Sequence, residues 1–223
     1  MTTIYLVRHG ENLANITREL SYKHIDYELT NKGHFQAAQT ATAFDNITID
    51  AIYSSPLKRA MQTAEYIAKR KKLIPKILEN FREINMGKVE GMKPNEESWK
   101  QYFLITHKWY MGEEDISFPE GENYSQLVNR FATGLLEAIK KTLHGNIAVI
   151  GHAGIFAAGV IHLCKIENKK EFSAIQNHNC SISELSVTQN NQNLSYSLVK
   201  WADSSHLTGS AAKLVKGMPE SSS

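Results

Sequence analysis

The sequence predicts an α/β fold, a three-layer α/β/α sandwich with a mostly parallel central sheet and an antiparallel edge. Three observations predict it. Short apolar runs alternate with segments of helical composition, as parallel strands joined by crossover helices do. TIYLV (3–7) and NIAVIGH (146–152) are continuously apolar, the pattern of strands buried on both faces. SISELSVTQ and LSYSLVKW instead alternate in hydropathy around the turn NNQN, which reads as an antiparallel hairpin.

In chain order, TIYLV is the first strand and Gly10 supplies its sharp exit. ENLANIT then starts a helix with Glu11 in its first turn, where a carboxylate suits the helix dipole. Thr30 caps a helix reaching about residue 44, with Phe35, Ala38, Ala41 and Ala43 as its apolar positions. IDAIYSS (49–55) is the second strand. Ser55-Pro56 reads as a cap followed by proline at the first helical position, leading into LKRAMQTAEYIAKR. PKILEN (75–80) is a short third strand, and residues 81–92 are loop. Glu96 to Tyr110 is helical and holds Trp99, Tyr102, Phe103, Trp109 and Tyr110. The acidic stretch GEEDISFPEGEN links it to a long helix ending near Leu143. NIAVIGH is the next strand, and AGIFAAGVIHLCK is again helical. Periodicity fades after Trp201, so one domain is expected over 1–208 and a disordered tail over 209–223.

Composition sets the outer bounds. The chain has 223 residues, 42% of them hydrophobic and 22% charged, which suits one large globular domain. Its 25 Lys and Arg nearly balance 23 Asp and Glu, so no overall field recruits nucleic acid. The basic run KRKK (69–72) suits a helix C-terminus. Two cysteines far from any CxxC spacing fit a reducing compartment. No stretch approaches the roughly 18 apolar residues needed to span a bilayer. The expectation is a cytoplasmic protein that engages neither nucleic acid nor membrane. The nine histidines show no HxH or HExxH spacing, and GxGxxG and GxxxxGK[ST] are absent. No metal and no other cofactor is therefore expected.

In sheets of this kind ligands gather at the carboxyl ends of the strands. Arg8-His9 and His152 both fall at such ends, and Arg59 begins the helix after another. An anionic group repels a nucleophile, so an attacker directed at one must be shielded from that repulsion. Two arginines can clamp the oxygens of such a group in fixed fork geometry. Neighbouring cations also disfavour a protonated imidazole, so Arg8 and Arg59 should keep His9 neutral.

VRHGEN, YSSPLKRAMQTA, FREINMGKVEG and VIGHAG, with DYELTNKGHFQA and FPEGEN, resemble in order the motifs of the histidine phosphatase superfamily, the group that includes cofactor-dependent phosphoglycerate mutases. The matches run from residue 4 to about 187. The resemblance implies a phosphoglycerate mutase-like fold and attack by His9 on phosphorus to give a phosphohistidine. It implies Glu83 as the acid that protonates the leaving alkoxide, then as the base that activates water. Glu83 must then enter the first step protonated. It implies His152, as an imidazolium, stabilising the transferring group, and Asn15 contacting phosphate. The stretch at about 92–122 falls where the family carries a variable cover. Its aromatic rings either pack as an ordinary helix or form a lid that selects the leaving group.

REINMGKVEG resembles the phosphatase members, whereas mutases carry an N-E-R-x-Y-G type of segment. The expectation is a metal-independent phosphatase acting on a small phosphorylated metabolite. The alternatives are a phosphoglycerate mutase-type phosphotransferase and an inactive phospho-ligand-binding protein. Two departures bear on substrate contacts. Ala153 replaces the glycine of the family's GHGG, narrowing the approach to His152. Lys23, in SYKH, stands where mutases usually have glycine, which suits Lys23 or His24 to a second anionic group. The hairpin at 181–200 leaves a sheet edge through which an oligomer can form.

Overall fold

The computed structural model describes residues 1–94, 96–142, 144–190 and 193–213. Six strands make one sheet: β1 (Thr2–Arg8), β2 (Ala51–Ser54), β3 (Lys76–Ile77), β4 (Asn146–Gly151), β5 (Ile182–Asn190) and β6 (Asn193–Asp203). Their spatial order is β3-β2-β4-β1-β5-β6. The first four run parallel, while β5 and β6 add an antiparallel edge. The helices are α1 (Leu13–Thr17), α2 (Asn31–Ala43), α3 (Lys58–Lys71), α4 (Glu96–Tyr110), α5 (Tyr124–Lys141), α6 (Ala153–Leu163) and α7 (Lys169–Ala174). The expected three layers and mixed sheet are present. No helix among the described residues is long and apolar enough to cross a membrane.

The period of two along each central strand divides the core. Ile4 and Leu6 of β1, with Ile147 and Val149 of β4, pack beneath α5 and α6. Tyr5 and Val7, with Ala148 and Ile150, pack against α2 and α3. Both faces are covered, which is why these strands read as unbroken apolar runs.

Local details depart from the sequence expectation. Phe35 is 60% exposed, and α2 buries Gln36, Ala37, Thr40 and Ala41 instead. That face meets residues 204–213, where Leu207 and Ala211 are buried beside Ala37. Residues 209–213, expected in the tail, thus include a packed position; residues 214–223 lie outside the described residues. Pro56 is not the first residue of α3: the helix starts at Lys58 with Leu57 as an N-cap that makes no side-chain bond. Asp26 supplies the acceptor for the Lys58 N–H, at 2.9 Å. The third strand is only two residues long, because the chain turns at Glu79–Phe81 to bury Phe81 in the core. Glu11 precedes α1, whose cap is Asn12. It serves α2 instead, accepting from Thr30 Oγ1 at 2.8 Å and pairing with Lys32 at 2.5 Å.

One backbone crossing positions the site. The turn after β1 lies directly on the start of α2: a Cβ on Gly10 would be 2.6 Å from the Gly33 carbonyl oxygen, and one on Gly33 only 2.1 Å from that of Glu11. The Gly10 N–H donates to Thr63 Oγ1 at 3.0 Å and the Glu11 N–H to Gln36 Oε1 at 2.9 Å. The turn is therefore fixed from α2 and α3 at once. Gly33→Ala should cost about 1–3 kcal/mol of stability, since backbone cannot yield as a side chain can. A lower denaturant midpoint at unchanged m-value is the expected result.

Candidate active site

The sequence places Arg8 and His9 where β1 ends, Arg59 in the first turn of α3 and His152 as the residue before α6. The β1–β4 register sets Arg8 beside Gly151, and the His9 N–H donates to the Gly151 carbonyl at 3.0 Å. His9 and His152 therefore stand together, with ring centroids 5.1 Å apart. Glu83 comes from the irregular segment after Phe81. Its Oε1 accepts from the N–H groups of Ile84 and Ile155, both at 2.9 Å, and its Oε2 from Gly154 at 3.1 Å. The first turn of α6 thus orients the carboxyl. Arg8, His9, Asn15, Arg59, Glu83 and Ala153 line one cavity of about 980 Å³, a volume that includes its open mouth.

Hydrogen bonding determines the tautomer of His9. Its Nδ1 lies 2.7 Å from the Gly10 carbonyl oxygen, which can only accept, so Nδ1 carries the proton. Nε2 is left with its lone pair, and Arg59 Nε donates to it at 3.2 Å. His9 is held well below the ordinary imidazole pKa, first by burial and then by the Arg59 and Arg8 charges. The sequence identifies the two cations; burial is the larger cause. Arg8 and Arg59 are themselves lowered by burial to about 10, with Glu83 opposing, so both remain charged at neutral pH.

His152 corrects an expectation. It is fully buried and held well below the ordinary imidazole value, by burial first and then by Arg59, His9 and Arg8. The isolated site therefore holds a neutral ring, not the imidazolium anticipated. Its Nε2 is 2.7 Å from Ser55 Oγ, while its Nδ1 has no partner.

Several buried N–H groups in this region are also unpaired: Arg8 Nε, Arg59 Nη1 and Asn177 Nδ2. The remaining Arg59 contacts are Ser21 O at 3.0 Å and a long approach to Asp26 at 4.0 Å, and an Arg8 Nη1 N–H donates to Asn177 O. Each orphan donor costs about 1–3 kcal/mol. Several in one place fit a ligand that brings acceptor oxygens and negative charge.

Lys23 is placed elsewhere. It lines a separate polar recess with Tyr22, His24, Asn85 and Glu90, and does not line the cavity that holds His9. The N–H groups of residues 22–25 all point at Glu90 Oε1, at 2.5–3.2 Å. The cover divides in two: Trp109 and Phe118 are buried in the core, whereas Trp99 and Tyr102 line the cavity. Trp99 Nε1 donates to Arg18 O at 2.9 Å, tying α4 to the loop after α1. Burial, then the Glu83 charge, keeps the Tyr102 phenol protonated. Among the described residues, no group of three or more His, Cys, Asp or Glu is placed to hold a metal ion.

Sequence reasoning missed Ser55, Asn177, His178 and Asn179. Asn179 Nδ2 lies 3.0 Å from both His9 O and Asn15 Oδ1, and His178 lines the cavity. The usable signal was direction: an antiparallel strand delivers the residues before it, not after it, to the carboxyl ends of its parallel neighbours.

Fold and site define an α/β protein that presents a neutral imidazole between two guanidinium groups. The family model of the histidine phosphatase superfamily (branch 1) matches residues 4–201. The probable phosphoglycerate mutase GpmB of Erwinia tasmaniensis is 29% identical over 220 residues, covering 95% of this chain and 97% of its own. The uncharacterized phosphatase PhoE of Bacillus subtilis is 31% identical over 158 residues, covering 71% and 75%. The crystal structure of a phosphoserine phosphatase from Entamoeba histolytica in complex with 3-phosphoglyceric acid superposes with a TM-score of 0.77 at 25% identity, covering 93% of this chain and 100% of that one. The chain belongs to the histidine phosphatase superfamily.

A pH titration of the imidazole nitrogens by ¹⁵N NMR should find the His9 and His152 rings neutral at pH 6.5, with both midpoints lower. The sign for stability follows: below about 6.5 the unfolded chain takes up protons that these folded rings refuse, so both contribute a loss of stability as pH falls. A midpoint near 6.5 at either ring would contradict the burial described.

Proposed function

We propose that this protein is a metal-independent phosphomonoesterase that acts through a phosphohistidine at His9, on a small phosphorylated metabolite. The observation that carries the reading is the His9 pair of contacts: Nδ1–H donates to Gly10 O, which leaves the lone pair on Nε2. Arg59 Nε donates to that lone pair until an arriving phosphate takes the Arg59 N–H instead. In the first step, with Glu83 having first bound a proton from solvent, Nε2 forms a bond to phosphorus, the ester P–O bond breaks, and the leaving oxygen takes that proton from Glu83. In the second step water attacks phosphorus, Glu83 takes its proton, and the N–P bond breaks to release phosphate. Arg8 and Arg59 stabilise charge on the transferring group, and Asn15 and Ala153, both on the cavity wall, contact the substrate. Burial first, and the Arg59 and Arg8 charges second, keep His152 neutral in the isolated site. An arriving phosphate dianion opposes the second cause and favours a proton on His152 as substrate binds.

The phosphatase branch is favoured by REINMGKVEG around Glu83 and by the phosphoserine phosphatase that shares the fold. A second reading, phosphoryl return to a bound product, is favoured by the relatives named phosphoglycerate mutase. Release of inorganic phosphate from phosphoglycerates, measured beside exchange of label between them, separates the two. The phosphatase reading expects release to dominate.

Acid-quenched single turnovers should trap label on the His9 imidazole. His9→Ala should lower kcat by about 10³-fold or more with the fold intact. Parental turnover in that variant would overturn the proposal, and failure to trap any phosphohistidine would favour a binding protein without catalysis.

A further inference from the structure

Glu83 sits on a segment without regular secondary structure, between the short turns Glu79–Phe81 and Gly87–Val89. An acid on an irregular segment needs something to hold it against the leaving group. We propose that Glu122 and Arg130, both outside the cavity, are the positioning pair for Glu83. The proposal rests on reading Glu83 as the general acid.

Arg130 projects from α5 beneath this segment, and all five of its N–H groups are engaged. Nη1 donates to the carbonyls of Asn80 and Arg82, at 3.0 and 2.8 Å. Nη2 donates to the carbonyl of Glu83 itself, at 2.9 Å, and to Glu122 Oε1 at 2.7 Å. Nε donates to Glu122 Oε2 at 2.8 Å. No donor is left for a substrate, so this guanidinium, unlike those of Arg8 and Arg59, is committed to three main-chain carbonyls and the Glu122 carboxylate. Asn80 Nδ2 returns a bond to Arg130 O at 3.0 Å.

Glu122 completes the grip. Only 8% exposed, it holds the fork bidentately and offsets the desolvation of the cation. Its Oε1 also accepts from the Asn85 N–H at 2.8 Å, and its own N–H donates to Asn85 O at 2.9 Å. The two loops touch through backbone: the Lys88 N–H reaches Pro119 O at 2.9 Å, and a Cβ on Gly87, whose φ is +51°, would lie 2.0 Å from that same oxygen. Pro119-Glu120-Gly121-Glu122 is the motif within FPEGEN that the cavity itself does not use. Its place against residues 85–88 gives it work.

Glu83 is thus fixed at both ends. The first turn of α6 holds its carboxyl, and Arg130 holds its main chain. Loosening the second grip should let the carboxyl drift while the anion clamp at Arg8 and Arg59 stays in place.

Leaving-group chemistry tests this. A dinitrophenolate departs as an anion and needs no proton, whereas an alkoxide does, so a displaced acid harms only the alkyl ester. kcat/KM for an alkyl phosphate and for 2,4-dinitrophenyl phosphate would be measured in Arg130→Lys, Glu122→Gln, Glu83→Gln and the Glu83→Gln/Arg130→Lys double variant. Arg130→Lys keeps the charge and loses the fork. It and Glu122→Gln should lose roughly 10²-fold on the alkyl ester and less than about threefold on the dinitrophenyl ester. Inorganic phosphate should inhibit both with the parental Ki. The double variant should be no slower than Glu83→Gln alone, because one function is removed once. Equal losses on both esters, an additive double variant, or loss of fold in both single variants would overturn the positioning role. If Glu83→Gln itself spares the alkyl ester, the acid role of Glu83 falls, and the proposal with it.

Discussion

A single protonation state of one ring governs this molecule. His9 donates its Nδ1–H to the Gly10 carbonyl and keeps on Nε2 a lone pair to which Arg59 Nε donates. In water an imidazole near neutral pH is divided between charged and uncharged forms. Burial and two guanidinium groups remove that division here. The requirement then spreads outward. The Gly10 carbonyl must point back at the ring, so the turn that carries it must be rigid. Thr63, Gln36 and the backbone of Gly33 make it so, and two helices on the far face of the sheet become part of the site.

The sheet supplies the rest by direction alone. Parallel strands end on one side, which brings Arg8-His9 and His152 together through the β1–β4 register. The antiparallel β5 starts on that same side, so Asn177 to Asn179 join them. Asn179 stitches the His9 carbonyl to Asn15, and the Asn177 carbonyl holds Arg8. Arg8 and Arg59 retain N–H groups that the protein does not satisfy. A fold that left these donors unpaired for no purpose would carry a cost it could shed with smaller side chains. Their clustering around the nucleophile turns the cost into preorganisation.

Much of this was legible in the residues. Unbroken apolar runs marked the doubly covered strands, and the alternating hairpin marked the edge. Arg8, His9, Arg59, Glu83 and His152 could be singled out because strand ends and ordered motifs locate them. What escaped depends on contacts between distant segments. Lys23 looked apt for an anion by charge, yet the four N–H groups gathered on Glu90 turn its loop toward another recess. Phe35 looked like a core residue by period, but α2 buries small and polar residues where residues 204–213 lie across it. The neutral His152 of the isolated site was not legible because burial, which a sequence does not display, disfavours the charged ring before any phosphate is present.

Gln36 spans a distance that the chain itself does not. Its oxygen receives the Glu11 N–H at 2.9 Å, and its nitrogen reaches the Ala211 carbonyl at 3.1 Å. One amide side chain thus joins the peptide next to the nucleophile's turn to a segment two hundred residues later. Trimming or fusing at that distal segment would be felt as slack in the reaction centre, although none of residues 204–213 lines the cavity that holds His9. The fold has a keystone, and it is uncharged.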